Sequence, residues 1–215
     1  MKTELWQFVA NQKKHTQDGP NLVRLMKSIG RGLRPIKAVD IGCGDGIIAI
    51  EMLQLKRASF VTCIDILHDA VTAAESNLKH FTVKSDFEIY RQPARVFFLK
   101  RKNWEAYDLM AINPPFFSKG SGARSKCEAD WIARHDESLP LSLWSKGACR
   151  ILKNGGELYC VFPTERLSEA LNSLSKAGLE PKELWWFKAD LRRRRFFLRC
   201  TKGGKPGMKI HFDFE

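Results

Sequence analysis

The chain of 215 residues carries 36 basic and 24 acidic side chains, and this formal net charge of +12 favours a polyanionic partner. Its 44% hydrophobic residues exclude a mainly disordered chain, and its length suits one domain. No stretch reaches the ~18 to 20 consecutive apolar residues that a bilayer requires, and the first residues lack a secretion signal, so we predict a cytoplasmic protein with no membrane role.

Hydrophobic patterning predicts alternating strands and helices, and therefore an α/β fold with a mostly parallel sheet. We expect residues 1–30 to be a helical lead-in, with Leu22, Val23, Met26 and Ile29 on one face, and residues 31–215 to form the main domain. The first half is predicted to contain strands at 37–41, 59–66, 95–99 and 108–112, a helix at 47–55, and a helix at 70–78 capped by Asp69.

The second half continues this alternation after a polar stretch at 118–134, which is long enough to be a functional loop. We predict a helix at 141–152 stopped by Asn154-Gly155-Gly156, a strand at 157–162, a helix at 165–177, and strands at 183–188 and 194–200. The last two strands are too close in sequence to be parallel. The expected sheet has seven strands, six parallel and the last one antiparallel, with helices on both faces.

The six cysteines and five histidines are scattered along the chain, and no Cys-x-x-Cys occurs. This spacing is typical of reduced core cysteines, so we predict neither a disulfide framework nor a metal site.

A glycine-rich turn, Asp40-Ile41-Gly42-Cys43-Gly44-Asp45-Gly46, follows the first strand. Glycines let the backbone approach a ligand closely at the start of a helix. A dinucleotide fingerprint would need a glycine at position 47, which is isoleucine here, so a pyrophosphate cofactor is disfavoured. The alternative is a tight turn without a ligand.

A strand that ends in Asp and continues as G-x-G-x-G resembles motif I of class I S-adenosylmethionine-dependent methyltransferases, which have a Rossmann-like fold. The resemblance implies that Asp40, Gly42, Gly44 and Gly46 bind S-adenosylmethionine, with the loop around its amino acid end.

The same resemblance assigns the ends of the next two strands. Asp65, which closes the second strand, would accept hydrogen bonds from both ribose hydroxyls, or else act as a loop or helix-cap acid. Such enzymes often carry an acidic residue beside the adenine after the third strand. Asn103 is the candidate there, with a plain loop as the alternative.

The fourth predicted strand ends in Asn113-Pro114-Pro115-Phe116. A conjugated amino group is a poor nucleophile, because its lone pair is delocalised. The side-chain oxygen of Asn113 and the carbonyl of Pro114 can each accept one N–H and fix such a nitrogen in line with a methyl donor. Pro115 stiffens the turn, and Phe116 offers a face on which a planar base can stack. A turn that merely ends the strand is the alternative.

This tetrapeptide resembles motif IV of the amino methyltransferases. Further segments resemble the bacterial tRNA(Val) adenine-N6 methyltransferase family, namely Ala133-Arg134-His135-Asp136, the residues at 163–167 and the glycine-rich residues at 202–207. The resemblance implies methylation of an adenosine next to the anticodon. Phe116 departs from the more usual tyrosine of that family, and the same Phe form occurs in other RNA adenine enzymes.

Positive charge is concentrated between 188 and 209. Because the connection before the last strand should lie at the carboxyl edge of the sheet, we expect Arg192, Arg193, Arg194 and Arg195 to contact the phosphates of the RNA, with Arg134 on the long loop. The alternative is a solvated hairpin that keeps the protein soluble.

The sequence therefore predicts a monomeric enzyme that transfers a methyl group from S-adenosylmethionine to the N6 of adenine in RNA, most simply tRNA. One alternative is a protein glutamine-N5 methyltransferase, for which a less basic surface is expected. Another is a non-catalytic RNA-binding module, which would not need both the glycine loop and Asn113.

Overall fold

A computed structural model describes residues 17–27, 35–83, 86–114, 139–186 and 195–212. Helices and strands alternate along these residues, with short 3-10 turns at Arg101–Asn103 and Thr164–Arg166. The elements are α1 (Asp18–Leu25), β1 (Lys37–Ile41), α2 (Ile47–Gln54), β2 (Phe60–Asp65), α3 (His68–Phe81), β3 (Phe87–Arg91), α4 (Ala94–Leu99), β4 (Tyr107–Ile112), α5 (Leu141–Ile151), β5 (Leu152–Pro163), α6 (Leu167–Lys176), β6 (Leu179–Trp186), β7 (Arg195–Lys202) and β8 (Lys209–Phe212).

The strands form one sheet in the order β3-β2-β1-β4-β5-β7-β6-β8. Only β7 is antiparallel to its neighbours, β5 and β6, among the described strands. The predicted α/β fold with a mostly parallel sheet is confirmed, as is the reversal of β7. The sheet has eight strands rather than seven, because the prediction missed β8, which pairs parallel to β6.

Apolar side chains alternate between the two faces of the sheet and build a core on each. One face is covered by α1, α2 and α3, and the other by α4, α5 and α6. The central strands β1 and β4 are almost wholly buried, as expected where helices cover both faces of a parallel sheet. This arrangement leaves the strand ends as the accessible edges.

The lead-in helix α1 packs into the core beside α2. Leu22 and Val23 are fully buried and Met26 is 2% exposed, so these three members of the predicted apolar face are confirmed, whereas Ile29 lies outside the described residues. A division of the chain at residue 30 remains a prediction.

The predicted third strand at 95–99 is wrong, because these residues form α4. Phe97 and Phe98 are buried, whereas Val96 and Leu99 are exposed, as in a helix that packs on one side. The true third strand, β3, lies earlier. Its polar Glu88 and half-buried residues give it a weaker hydrophobic signal than α4.

Two predicted helix ends also differ. Leu67 is the N-cap residue of α3 and the helix has no side-chain cap, so Asp69 lies in its first turn without capping it. Asn154-Gly155-Gly156 does not stop α5, because the chain enters β5 directly after Ile151. The glycines form an irregularity between β4 and β5, where the register shifts after the pair Tyr107 and Leu152.

Among the described residues, no helix is both long and apolar enough to cross a membrane. The five described cysteines are free, and four of them are buried. The expectation that the cysteines lie in the core is therefore confirmed for these four, while Cys127 lies outside the described residues.

Gly147 permits close packing of α5 against α4. A Cβ added at this position would lie 2.3 Å from Cδ2 of Phe98, whose side chain is 2% exposed.

We expect Gly147→Ala to lower the free energy of unfolding by about 1–3 kcal/mol, because overpacking outweighs the better helix propensity of alanine. Urea denaturation would measure the loss. Ser142→Ala, at an exposed position of the same helix, is the matched control. Equal stability of Gly147→Ala and the unmodified protein would contradict the close packing.

Candidate functional site

The carboxyl ends of three neighbouring strands bring the predicted site residues together. Ile41 of β1 pairs with Ile64 of β2 on one side and with Ile112 of β4 on the other. The residues that directly follow Ile64, Ile41 and Ile112 are Asp65, Gly42 and Asn113, respectively. Since neighbouring strands lie about 5 Å apart, these three positions span roughly 10 Å along one edge.

The turn between β1 and α2 is held by backbone hydrogen bonds. Gly42 N and Cys43 N both donate to Ile64 O, at 2.8 and 3.1 Å, and Gly46 N donates to Cys43 O at 2.9 Å. Gly42, Gly44 and Gly46 have φ angles of 72°, 55° and 87°. The turn is thus fixed to β2, and its shape requires left-handed backbone.

Two glycines of this turn serve different purposes. A Cβ on Gly44 would meet nothing within 4 Å, so the space above the turn is open to a ligand. A Cβ on Gly46 would instead lie 3.3 Å from the backbone Cα of Ala74, so Gly46 allows α3 to approach α2. The predicted ligand loop therefore has both an open side and a packed side.

Asp65 links the glycine turn to the start of α3. Its Oδ2 accepts a hydrogen bond from Gly44 N and its Oδ1 accepts one from Leu67 N, both at 3.0 Å. Burial raises the pKa of Asp65 above its usual value, and these two amides oppose the shift. Each carboxylate oxygen keeps a further lone pair, so the side chain can still accept hydrogen bonds from a diol.

Asp40 is fully buried beneath the turn, and neither carboxylate oxygen has a hydrogen-bond partner among the described residues. Burial, followed by the nearby negative charge of Asp65, raises the pKa of Asp40 to about 8. A buried carboxyl without partners is costly. It suits a site that is completed by a polar or cationic ligand group.

Asn113 follows β4 at the same edge. Its Oδ1 is buried and has no hydrogen-bond partner among the described residues. Pro114 beside it is also buried. An acceptor kept out of water without a donor can bind an N–H group from a ligand.

Several predicted site residues lie outside the described residues, namely Pro115, Phe116, Arg134, Arg192, Arg193 and Arg194. Arg195 is described. It pairs with Pro163 at the carboxyl end of β5, and its Nε lies 3.7 Å from Oδ2 of Asp18 in α1. Arg195 is therefore at the same edge as Asn113.

Asn103 does not join the site. The sequence prediction places Asn103 after a strand at 95–99, but these residues are helical, and Asn103 lies near the amino end of β4 at the opposite edge. Its side chain is 5% exposed, and its Nδ2 donates to Phe97 O at 2.8 Å. Asn103 stabilises the turn after α4, and the prediction that it contacts a cofactor is corrected.

Gln92 is the polar residue that follows the true third strand. Its backbone N donates to Asp65 O at 2.9 Å, so it lies beside the Asp65 turn. Its side-chain Oε1 accepts from Lys100 Nζ at 2.7 Å. In the sequence, the end of this strand is marked by Gln92-Pro93, which follows the β-prone residues 87–90.

Comparison with known proteins finds a matching family and several relatives. The methyltransferase small domain family matches residues 21–177. The tRNA1(Val) (adenine(37)-N6)-methyltransferase of Tolumonas auensis is 31% identical over 84% of this chain and 68% of its own length. The enzyme of the same name from Christiangramia forsetii is 27% identical over 70% of this chain. The chain spans only 62% of the length of that second relative.

The solved structures support the fold. A protein classed as an RNA methyltransferase from Pyrococcus horikoshii superposes with a TM-score of 0.65 at 19% identity, covering 93% of this chain and 94% of its own. At this identity the likeness shows a shared fold.

The raised pKa of Asp40 predicts a pH dependence of stability. Asp40 has an ordinary pKa of 3.8 and a folded-state pKa of about 8, so between these values the folded protein binds a proton that the unfolded chain has lost. The free energy of unfolding should therefore fall as the pH rises from 5 to about 8. Asp40→Asn, which mimics the neutral carboxyl, should lack this contribution. Urea denaturation of both proteins between pH 5 and 9 measures the difference, and parallel pH profiles would contradict the assignment.

Proposed function

Because the chain belongs to the methyltransferase small domain family, we propose that it is an S-adenosylmethionine-dependent methyltransferase that modifies the N6 of adenine in RNA, with tRNA as the substrate class. The observation that carries the proposal is that Oδ1 of Asn113 is buried and has no hydrogen-bond partner among the described residues. Asn113 follows β4, which pairs with β1, and β1 leads into the open glycine turn. The names of the two relatives support the choice of adenine and tRNA.

The residues of the carboxyl edge fit S-adenosylmethionine. The open side of Gly44 would accommodate the amino acid end, and the remaining lone pairs of Asp65 would accept the ribose hydroxyls. Asp40 lies below the turn and can stabilise the positive ammonium group through its field once it is ionised. Gln92, rather than Asn103, would then be the candidate side chain for contacting the adenine, because it lies beside the Asp65 turn. When bound, the cofactor supplies an electrophilic methyl group on a sulfonium.

Asn113 would hold and orient the amino group of the target base. Its Oδ1 accepts one N–H and the Pro114 carbonyl accepts the other, so that the nitrogen lone pair points toward the methyl donor. Burial of Oδ1 strengthens this hydrogen bond, because water does not compete for the acceptor. The amine becomes acidic on methylation and can lose its proton without a strong base. Phe116 would stack on a flipped adenine.

An RNA substrate is favoured by the net charge of +12 and by Arg195 at the carboxyl edge. Arg195 would contact a phosphate close to the target base, together with Arg192, Arg193, Arg194 and Arg134. A monomeric enzyme is part of the same proposal.

Asp65 provides a test of the cofactor site. We expect Asp65→Ala to weaken S-adenosylmethionine binding at least tenfold, because the variant loses the ribose acceptors and one anchor of Gly44. Isothermal titration calorimetry measures the affinity. Asp69→Ala, an exposed carboxylate in the first turn of α3, is the matched control and should bind normally. Equal affinities for all three proteins would remove Asp65 from the site.

Asn113 provides the test of the reaction. We expect Asn113→Ala to retain S-adenosylmethionine binding and to lose at least a hundredfold in turnover, because the amine is no longer oriented. The assay incubates protein and labelled cofactor separately with tRNA, ribosomal RNA and protein, and then identifies the product in digests. N6-methyladenosine from the tRNA pool supports the proposal.

The exposed Asn154, near the start of β5 at the other edge, gives the control Asn154→Ala, which should remain fully active. Label in protein glutamine, or full activity of Asn113→Ala, would overturn the proposed function.

A further inference from the structure

A second cationic surface lies away from the carboxyl edge. Trp104, just before β4, is 42% exposed, and its indole has two guanidinium groups over it. The Cζ atoms of Arg101 and Arg150 lie 5.7 and 5.4 Å from the centre of a Trp104 ring. Lys146 is exposed one turn before Arg150 on α5. We call these four residues the indole–arginine patch.

The indole is fixed in position. Trp104 Nε1 donates to Phe98 O at 3.2 Å, and its backbone N donates to Arg101 O at 3.1 Å. Cation–π attraction then holds both guanidinium groups against a rigid surface, so less side-chain entropy is lost when they bind an anion. Neither Arg101 nor Arg150 forms an ion pair with a carboxylate in the part of the chain that the structure describes.

The elements around the patch carry no acidic side chain. Residues 94–104 contain four basic residues, and 141–151 contain two, without any Asp or Glu in either segment. The nearby Glu105 is engaged by Lys202, at 3.0 Å between Nζ and Oε1. Two free guanidinium groups in such surroundings complement a polyanion, and planar guanidinium donors suit phosphate in particular.

The patch is within reach of an RNA that also occupies the active site. Helix α5 runs from the carboxyl edge toward the amino edge, and Lys146 and Arg150 lie about 6 Å apart along its axis. The six residues of β4 separate the patch from Asn113 by about 20 Å. An RNA of tRNA size is longer than this, whereas a short stem-loop held at Asn113 need not extend that far.

We propose that the indole–arginine patch is a second RNA-binding surface, which holds the phosphate backbone of the substrate remote from the target base. The inference rests on the proposed RNA substrate but adds a contact outside the catalytic edge. The patch would contribute to affinity for the whole RNA and not to the chemical step, so its loss should raise KM and leave kcat unchanged.

The test compares Arg101→Ala/Arg150→Ala with the matched double variant Lys56→Ala/Lys176→Ala, which removes the same charge from exposed positions elsewhere. Each protein is assayed with full-length tRNA and with a short stem-loop that contains the target adenosine. Binding of full-length tRNA is measured by fluorescence anisotropy at several salt concentrations. Thermal denaturation verifies that the variants are folded.

We expect the patch variant to bind full-length tRNA about tenfold more weakly and to show a salt slope reduced by about 1.4 to 1.8, as for the loss of two phosphate contacts. Its kcat, and its KM for the stem-loop, should equal those of the unmodified protein. Trp104→Phe, which removes the indole N–H and shrinks the ring, should weaken tRNA binding in the same direction.

An unchanged affinity and salt slope in the patch variant would overturn the inference. The proposed function would still stand in that case, provided that the proteins form N6-methyladenosine. Equal losses in the patch variant and the lysine control would also overturn it, because they would reflect net charge alone. Failure of the proposed function is distinguishable, since the unmodified protein would then form no N6-methyladenosine in any RNA.

Discussion

Parallel pairing of β1 with β2 on one side and with β4 on the other is the constraint from which the site follows. It aligns the ends of three strands, so that Asp65, the glycine turn and Asn113 become neighbours although they are distant in sequence. A slip of one residue would turn every side chain of a strand to the opposite face. Because β1 and β4 are buried on both faces, such a slip would disrupt both cores and is strongly disfavoured.

The sequence predicted this edge well because its signals are local. The glycine turn and Asn113-Pro114 each follow a strand that is almost wholly buried and therefore strongly apolar. The third strand was missed for the opposite reason. β3 is the half-buried edge of the sheet and includes the polar Glu88, whereas the apolar run at 96–99 belongs to a short helix. The assignment of Asn103 to the adenine follows directly from that exchange.

The positions at which positive charges cluster on the surface were also only partly predictable from the sequence. A run of arginines such as 192–195 stands out in a sequence, but Arg101 and Arg150 are separated by almost fifty residues, and Arg101 follows the segment 95–99, which the sequence predicts as a strand. Their proximity depends on α4 packing against α5, with Gly147 under Phe98. Tertiary contacts of this kind between distant helices are not encoded in local periodicity.

The interior position of β7 has a consequence for biosynthesis. This strand follows both β5 and β6 in the chain, yet it lies between them in the sheet, and its Phe196, Phe197 and Leu198 are at most 1% exposed. A nascent chain that ends before Arg195 would leave β5 and β6 each with an unpaired backbone edge and uncovered apolar side chains. Such edges invite aggregation and recognition by chaperones or proteases. The strand order itself therefore makes chains that stop before β7 expose open strand edges and apolar side chains.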